Sequence, residues 1–273
     1  MAEEHRTGGR VAFDYTYSNS ELFGVQEAYK AIRTNIILSV IKDECKKIVI
    51  TSPLQAEGKS TTSVNIAISL AQAFNKVLFI DCDLRLSKVH KALGIARDPG
   101  LSNILSGLAT TEESIQATKF ENLFVLPAGI AAPNPSEMLA SSKMQELLDE
   151  LAGDYDYIIM DTPPINIVSD ALPLARSADG VILVVRRKIT THTEMEKAIK
   201  SLEFINAKIL GTILNDAAEE SSKRYKSGKY GKYGKGKYGY GYGYGYGYGY
   251  SYSSYKNVGK DKKDKEAENT ENK

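Results

Sequence analysis

The segment Ile50-Thr51-Ser52-Pro53-Leu54-Gln55-Ala56-Glu57-Gly58-Lys59-Ser60-Thr61 is the most informative in this 273-residue chain. A short β-branched run, 47–51, leads into it, and a helical pattern, 59–74, leaves it. A Gly-Lys-Ser-Thr core between a strand and a helix meets the requirement of a phosphate-binding loop, or P-loop. Backbone N–H groups of Gln55, Ala56, Glu57 and Gly58, together with the helix dipole, favour negative charge there. Lys59 has the length to reach β- and γ-phosphate oxygens. The Ser60 hydroxyl suits Mg²⁺, and Thr61 suits an α-phosphate. Pro53 stands where the usual G-x-x-x-x-G-K pattern has its first glycine.

Two later apolar runs end in carboxylates. One is Phe79-Ile80-Asp81-Cys82-Asp83-Leu84-Arg85 and the other Tyr157-Ile158-Ile159-Met160-Asp161, followed by Thr162-Pro163-Pro164. An acid at the C-terminal end of a strand lies at the crevice where open α/β sheets bind ligands. Either aspartate alone suits a solvated strand end. Together with the P-loop they supply the acids of a Walker-type Mg²⁺ site.

The rest of the pattern agrees. Apolar runs at 47–51, 77–81, 123–127, 157–161, 180–185 and 208–214 are apolar throughout, as expected of parallel strands covered on both faces. Helical stretches are expected at 59–74, 135–151, 169–175 and 193–204. Asn134 is the expected N-cap of the second, with Pro135 at its first position. An amphipathic helix is expected at 21–41. Alternation of this kind predicts an α/β fold with a doubly wound, mostly parallel sheet. The expected organisation is a flexible N-terminus (1–20), one P-loop domain (21–218) and a disordered basic tail (219–273).

The net charge of +1 hides a polarity. Residues 221–273 carry 13 Lys/Arg against 5 Asp/Glu, and residues 1–220 carry 22 against 29. Twelve of the 17 tyrosines lie between Tyr225 and Tyr255, alternating with glycine over much of that length. Such a tract has no side chains with which to build a core. Nothing resembles a secretory leader, a membrane span or a disulfide framework, and no folded module for specific nucleic-acid recognition is evident. Of the two cysteines, Cys45 and Cys82, the latter sits between two aspartates and is expected to be a buried filler.

Asp81-x-Asp83-x-Arg85 is similar to the Walker A′ motif of the bacterial tyrosine kinases (BY-kinases). The helix sequence Glu27-Ala28-Tyr29-Lys30-Ala31-Ile32-Arg33-Thr34-Asn35 resembles that family's E-x-x-R-x-x-R oligomerisation motif. Asn134–Leu139, Asp161-Thr162-Pro163-Pro164 and Asp179-Gly180-Val181 resemble further family patterns. The resemblance spans about residues 20–216.

It implies a deviant-Walker P-loop NTPase fold like that of partitioning ATPases, with ATP and Mg²⁺ as cofactors. It implies a cytoplasmic protein-tyrosine kinase of capsular or exopolysaccharide systems. A separate transmembrane activator would recruit it to the inner face of the membrane, and a cognate tyrosine phosphatase would oppose it. Lys59, Asp81, Asp83, Asp161 and Arg85 would be the catalytic set. Ser60, Asp83 and Asp161 would contact Mg²⁺, and Asp81 would accept the tyrosine proton, although the roles of Asp81 and Asp83 are interchangeable at this stage. Arg85 would orient the aspartates or a phosphate, and Asn215 would meet the adenine. Glu27, Lys30 and Arg33 would join copies into a ring.

Two departures matter. The family's Pro-Gly-Glu-Gly-Lys loop has Gln55 and Ala56 here; if position 56 needs positive φ, alanine costs about 1 kcal/mol. Lys30 replaces an arginine and loses its bidentate fork, which loosens the expected ring.

Tyr225, Tyr230, Tyr233, Tyr238, Tyr240, Tyr242, Tyr244, Tyr246, Tyr248, Tyr250, Tyr252 and Tyr255 are the expected phosphorylation sites. Each phosphate adds about −1.5 to −2, so roughly five would cancel the tail's positive excess. A partitioning-type ATPase and a nucleotide-gated scaffold of a polysaccharide assembly are the rival readings.

Overall fold

The computed structural model describes residues 19–216. The whole tyrosine cluster and the expected tail (219–273) lie outside the described residues, as does the expected N-terminal extension (1–20) except for residues 19 and 20, which begin α1. Helix α1 (Asn19–Ser39) precedes β1 (Lys46–Thr51), α2 (Lys59–Ala71) and β2 (Val77–Asp81). Three short helices follow, α3 (Val89–Leu93), α4 (Leu101–Leu105) and α5 (Thr111–Ser114), then β3 (Gln116–Ala117) and β4 (Leu123–Leu126). The second half comprises α6 (Pro135–Leu139), α7 (Ser142–Leu151), β5 (Tyr157–Asp161), α8 (Ala171–Ser177), β6 (Gly180–Arg186), α9 (His192–Phe204) and β7 (Ile209–Asn215).

The seven strands form one sheet in the order β3-β4-β2-β5-β1-β6-β7. All pairings are parallel except that of the two-residue edge strand β3 with β4. The alternation of side chains along each strand divides the core. Val49, Leu78, Ile80, Ile158, Met160 and Leu183 belong to the layer that includes Leu147 and Leu148 of α7, Leu174 of α8 and Leu202 of α9. Ile48, Ile50, Phe79, Ile159 and Val184 belong to the opposite layer, with Val64, Ile68 and Leu70 of α2 and Ile36 of α1. Both faces are therefore covered, which is why these strands are apolar at every position rather than at alternate ones.

The expected helix over 135–151 is two helices. Ser141 adopts extended backbone and its Oγ accepts the Met144 N–H at 3.3 Å, capping α7 and ending the continuous pattern. Serine is a strong N-cap, and here it overrides the propensity on either side. Asn134 does occupy the N-cap position of α6, but its side chain makes no capping bond; its Nδ2 donates to Glu137 Oε2 at 3.2 Å.

Strand order positions the site. β5 lies between β1 and β2, with Ile50 paired to Asp161 and Asp81 paired to Asp161. The P-loop leaves the C-terminal end of β1, so all three features meet at the C-terminal ends of the central strands.

Candidate active site

The loop between β1 and α2 holds two residues in the left-handed region, Ala56 (φ 61°) and Gly58 (φ 83°). Gly58 is doubly required, because a Cβ there would lie 2.0 Å from Asn215 Nδ2. That nitrogen donates to the Glu57 carbonyl at 3.0 Å, so the end of β7 holds the loop in place. Position 56 does take positive φ, and the strain anticipated for alanine is present.

Glu57, expected as a nucleotide contact, is 1% exposed. Its carboxylate accepts the Leu54 N–H at 2.7 Å and a short hydrogen bond from Thr190 Oγ1. Its side chain braces the loop from within. Arg186 adds a second brace through Nη1 to the Ala56 carbonyl at 3.2 Å.

The first turn of α2 converges on Asp161. Lys59 Nζ donates to Asp161 Oδ1 at 2.7 Å, Ser63 Oγ donates to the same oxygen at 3.0 Å, and Ser60 Oγ donates to Oδ2 at 2.6 Å. Asp161 is fully buried and Lys59 is 7% exposed. Removing either charge would leave the other buried without its partner, a strongly unfavourable state. Thr51 Oγ1 donates to the Pro163 carbonyl and Thr162 Oγ1 to the Ile50 carbonyl, fixing the ends of β1 and β5 against each other.

Asp81 is also fully buried. Ser87 Oγ donates to its Oδ2 at 2.6 Å, and the Asp83 N–H donates to its Oδ1 at 3.1 Å. Burial first, and the neighbouring Asp161 charge second, raise its pKa to about 7; the Ser87 bond and Lys59 oppose that shift. Asp83 is half-buried and accepts the Leu86 N–H at 2.9 Å. The two acids are thus unlike: Asp83 lines the open cavity with Lys59 and Ser60, whereas Asp81 lies beneath it. That cavity holds about 400 Å³ and is walled by the P-loop on one side and by Arg85, Pro163, Pro164 and Ile167 on others. Cys82 is buried, and burial pushes its thiol well above its ordinary pKa, which fits the expected filler role.

Arg85 is anchored by Asp170. Its Nε donates to Oδ2 at 2.7 Å and its Nη2 to Oδ1 at 3.0 Å. Asp170, Ser63, Ser87, Thr190 and Arg186 were not singled out by sequence reasoning. Ser63 follows the P-loop on α2 and Ser87 lies six residues beyond Asp81, whereas Asp170, Thr190 and Arg186 reach the site only through the tertiary fold.

The expected oligomerisation stripe divides. Glu27 and Lys30 form an exposed ion pair at 2.7 Å, whereas Arg33 Nη1 donates to the Ser69 carbonyl of α2 at 2.7 Å. Arg33 therefore also ties α1 to the helix that carries the P-loop.

The groups that would hold a metal ion fit Mg²⁺ in a particular way. Among the described residues no group of three or more acidic, histidine or cysteine side chains is arranged to hold a metal ion by itself. Mg²⁺ suits such a site, since it is usually held by one or two carboxylates plus phosphate oxygens and water. The adjacency of Ser60 Oγ and Asp161 Oδ2 provides a hydroxyl and a carboxylate for it.

Residues 45–214 match the AAA domain family. Tyrosine-protein kinase YwqD of Bacillus subtilis is 40% identical over 208 residues, 76% of this chain and 86% of the relative. Tyrosine-protein kinase CpsD of Streptococcus agalactiae is 42% identical over 213 residues, 77% of this chain and 90% of the relative. Among solved structures, the kinase domain of Escherichia coli tyrosine kinase ETK superposes with a TM-score of 0.69 at 34% identity, covering 75% of this chain and 80% of that one. The septum site-determining protein MinD of Pyrococcus horikoshii, complexed with Mg-ADP, superposes with a TM-score of 0.55 at 30% identity over 62% of this chain and 70% of that one. With its P-loop, its paired strand-end aspartates and relatives of this similarity along most of their length, the chain belongs to the bacterial tyrosine-protein kinases.

Proposed function

We propose that this protein transfers the γ-phosphoryl group of ATP to tyrosine side chains, including its own C-terminal cluster in trans, and thereby regulates capsular or exopolysaccharide synthesis. The observation that carries this reading is the convergence of Lys59, Ser60 and Ser63 on Asp161 beside Asp81. In the reaction the bond from the γ-phosphorus to the ADP oxygen breaks, and a bond from phosphorus to the phenolic oxygen forms. The phenol proton passes to a carboxylate. Asp83 lines the cavity with Lys59 and Ser60, and Asp81 beneath it has a proton affinity raised by burial toward that of a phenol, which has a pKa near ~10; one of this pair receives the proton.

Positioning and charge neutralisation dominate such transfers. The loop amides and Lys59 hold phosphate oxygens, and the buried surroundings strengthen each of these contacts. Mg²⁺, held by Ser60, Asp83 and Asp161 together with the nucleotide, would neutralise charge on the phosphates. The Mg-ADP held by MinD, a neighbour of the same fold, supports this cofactor assignment. No helix among the described residues is long and apolar enough to cross a membrane. In this reading a separate transmembrane activator recruits the kinase to the membrane, a cognate phosphatase opposes it, and copies assemble as a ring.

A mixing experiment tests the reaction in trans. Full-length Lys59→Met protein is incubated with MgATP and an active partner whose twelve tail tyrosines are phenylalanine, with the activator's cytoplasmic segment present. Phosphotyrosine on the Lys59→Met chain between Tyr225 and Tyr255 is expected. Its absence, with ATP hydrolysis continuing, refutes transfer in trans.

A further inference from the structure

One buried acid has no place in the mechanism above. Asp170 has no solvent-exposed surface, yet it lies at the start of α8, 85 residues from the guanidinium that it binds. Three donors meet on it. Arg85 supplies Nε and Nη2, at 2.7 and 3.0 Å, and Ser136 Oγ of α6 supplies a short hydrogen bond. Ser136 Oγ in turn accepts from Arg85 Nη2 at 3.3 Å. Burial alone would raise the Asp170 pKa, but the hydrogen bonds from Arg85 and Ser136 outweigh it and hold the carboxyl below its ordinary range. The group is therefore an anion over the whole physiological pH range.

A two-point grip of this kind fixes a guanidinium plane. Its bonded edge is Nε with Nη2. Among the described residues Nη1 donates to no group, and Arg85 lines the same cavity as Lys59 and Ser60. A surface latch could use any basic residue. A fork held along one edge, with the remaining donor pair uncommitted beside a phosphate cavity, is the arrangement that recognises a second anion. Because Asp170 balances the charge, the recognition is directional rather than a matter of excess positive potential.

We propose that Asp170, supported by Ser136, is a positioning residue that holds Arg85 as a phosphoryl-binding donor across the cavity from the P-loop. This rests on the tyrosine-kinase reading and names a further part of the same site. The ligand chemistry is a terminal phosphoryl group. It is either the γ-phosphoryl of the nucleotide before transfer or the phosphate of phosphotyrosine after it. Arg85 donates hydrogen bonds to the phosphoryl oxygens, and no proton is transferred.

Calorimetry on the full-length protein separates the possibilities. The variants are Asp170→Asn, which keeps the shape and removes the charge, and Arg85→Lys, which keeps a charge beside Asp170 and removes the fork. Each is titrated with MgADP, with a magnesium complex of a non-hydrolysable ATP analogue, and with O-phosphotyrosine in saturating MgADP. MgADP affinity within about twofold of wild type is expected in both, with roughly tenfold weaker binding of the ATP analogue or of phosphotyrosine. Loss for the analogue alone places Arg85 on the γ-phosphoryl, and loss for phosphotyrosine alone places it on the product.

In the double variant Asp170→Asn should add nothing to Arg85→Lys, because Asp170 acts through Arg85. Equal losses for MgADP and the analogue, or additive losses in the double variant, would overturn the proposal while leaving the kinase reading intact. A wild-type protein that binds neither nucleotide overturns both. Should Asp170→Asn fail to fold, Ser136→Ala removes one support of the same carboxylate and must show the same selective loss in smaller measure; unchanged affinities there also defeat the idea.

Discussion

Glu57→Ala is the substitution that most sharply separates a loop brace from a nucleotide contact. The Glu57 carboxylate accepts from the Leu54 N–H and from Thr190 Oγ1, and Thr190 Oγ1 accepts the Arg186 N–H at 2.8 Å. One side chain thus connects the P-loop to the turn after β6. Hydrogen bonds to a charged acceptor contribute about 1.5–3 kcal/mol each. Leu54 and Thr190 are only half-buried, so water recovers part of the loss. The expected cost is about 3 kcal/mol. For a domain of this size each kcal/mol lowers Tm by about 2–4 °C, giving a shift of roughly 6–12 °C by calorimetry.

If the loss falls on the loop locally, nucleotide binding must restore the order that Glu57 supplied, and the Kd for MgADP rises by up to about 100-fold. Glu57→Gln should lie between. Its amide oxygen still serves Leu54, but its NH₂ group faces a hydroxyl that already accepts a hydrogen bond. A Glu57→Ala protein with wild-type Tm and a Kd for MgADP within about twofold of wild type would refute the brace.

Three further expectations follow from single positions. At Ala56 (φ 61°), glycine should be neutral or slightly stabilising, because relief of about 1 kcal/mol of strain is offset by greater freedom of the unfolded chain. Valine there should lower Tm by several degrees, and an Ala56→Val protein as stable as wild type would contradict the left-handed assignment. Asp81 has a pKa raised to about 7 in the fold against 3.8 unfolded. The folded state thus holds a proton that the unfolded state releases, and this group's stability contribution is lost as pH rises from about 4 to 7. Nucleotide-free Asp81→Asn should therefore gain Tm over wild type at pH 8 and gain little at pH 4; an equal gain at both would show that the shift is absent. Arg33→Ala should speed amide exchange in α1 by removing the bond to Ser69, whereas Glu27→Ala should leave that exchange unchanged and alter only assembly, measured by native mass spectrometry. Identical exchange in the two variants would separate Arg33 from the helix contact.

The parallel sheet was legible because its strands are covered on both faces, so Ile48–Ile50 and Leu78–Ile80 are apolar without interruption. The P-loop was legible because Gly58 and Lys59 are adjacent in sequence and the chemistry is local. Asp81 and Asp161 were legible as strand ends, and the order of β1, β5 and β2 makes them neighbours. Local pattern could not reveal α3, α4 and α5, which have four or five residues and complete hardly more than one helical turn. Nor could it reveal Asp170 or Thr190, each of which acquires its role from a partner more than eighty residues away. The inward turn of Glu57 was hidden for a related reason. The expectation for it concerned the backbone N–H, and its side chain braces the loop from within.

In the proposed reaction Lys59, Ser60, Asp81 and Asp161 act as one centre that transfers phosphate from ATP to tyrosine. Full-length wild-type and Lys59→Met proteins are incubated with γ-labelled ATP and Mg²⁺, with and without the activator's cytoplasmic segment, and the labelled peptides are sequenced. Label is expected on tyrosines between Tyr225 and Tyr255 of the wild type and none on Lys59→Met. Equal labelling of the two proteins, or nucleotide binding by the wild type with no phosphotyrosine under any of these conditions, would contradict it.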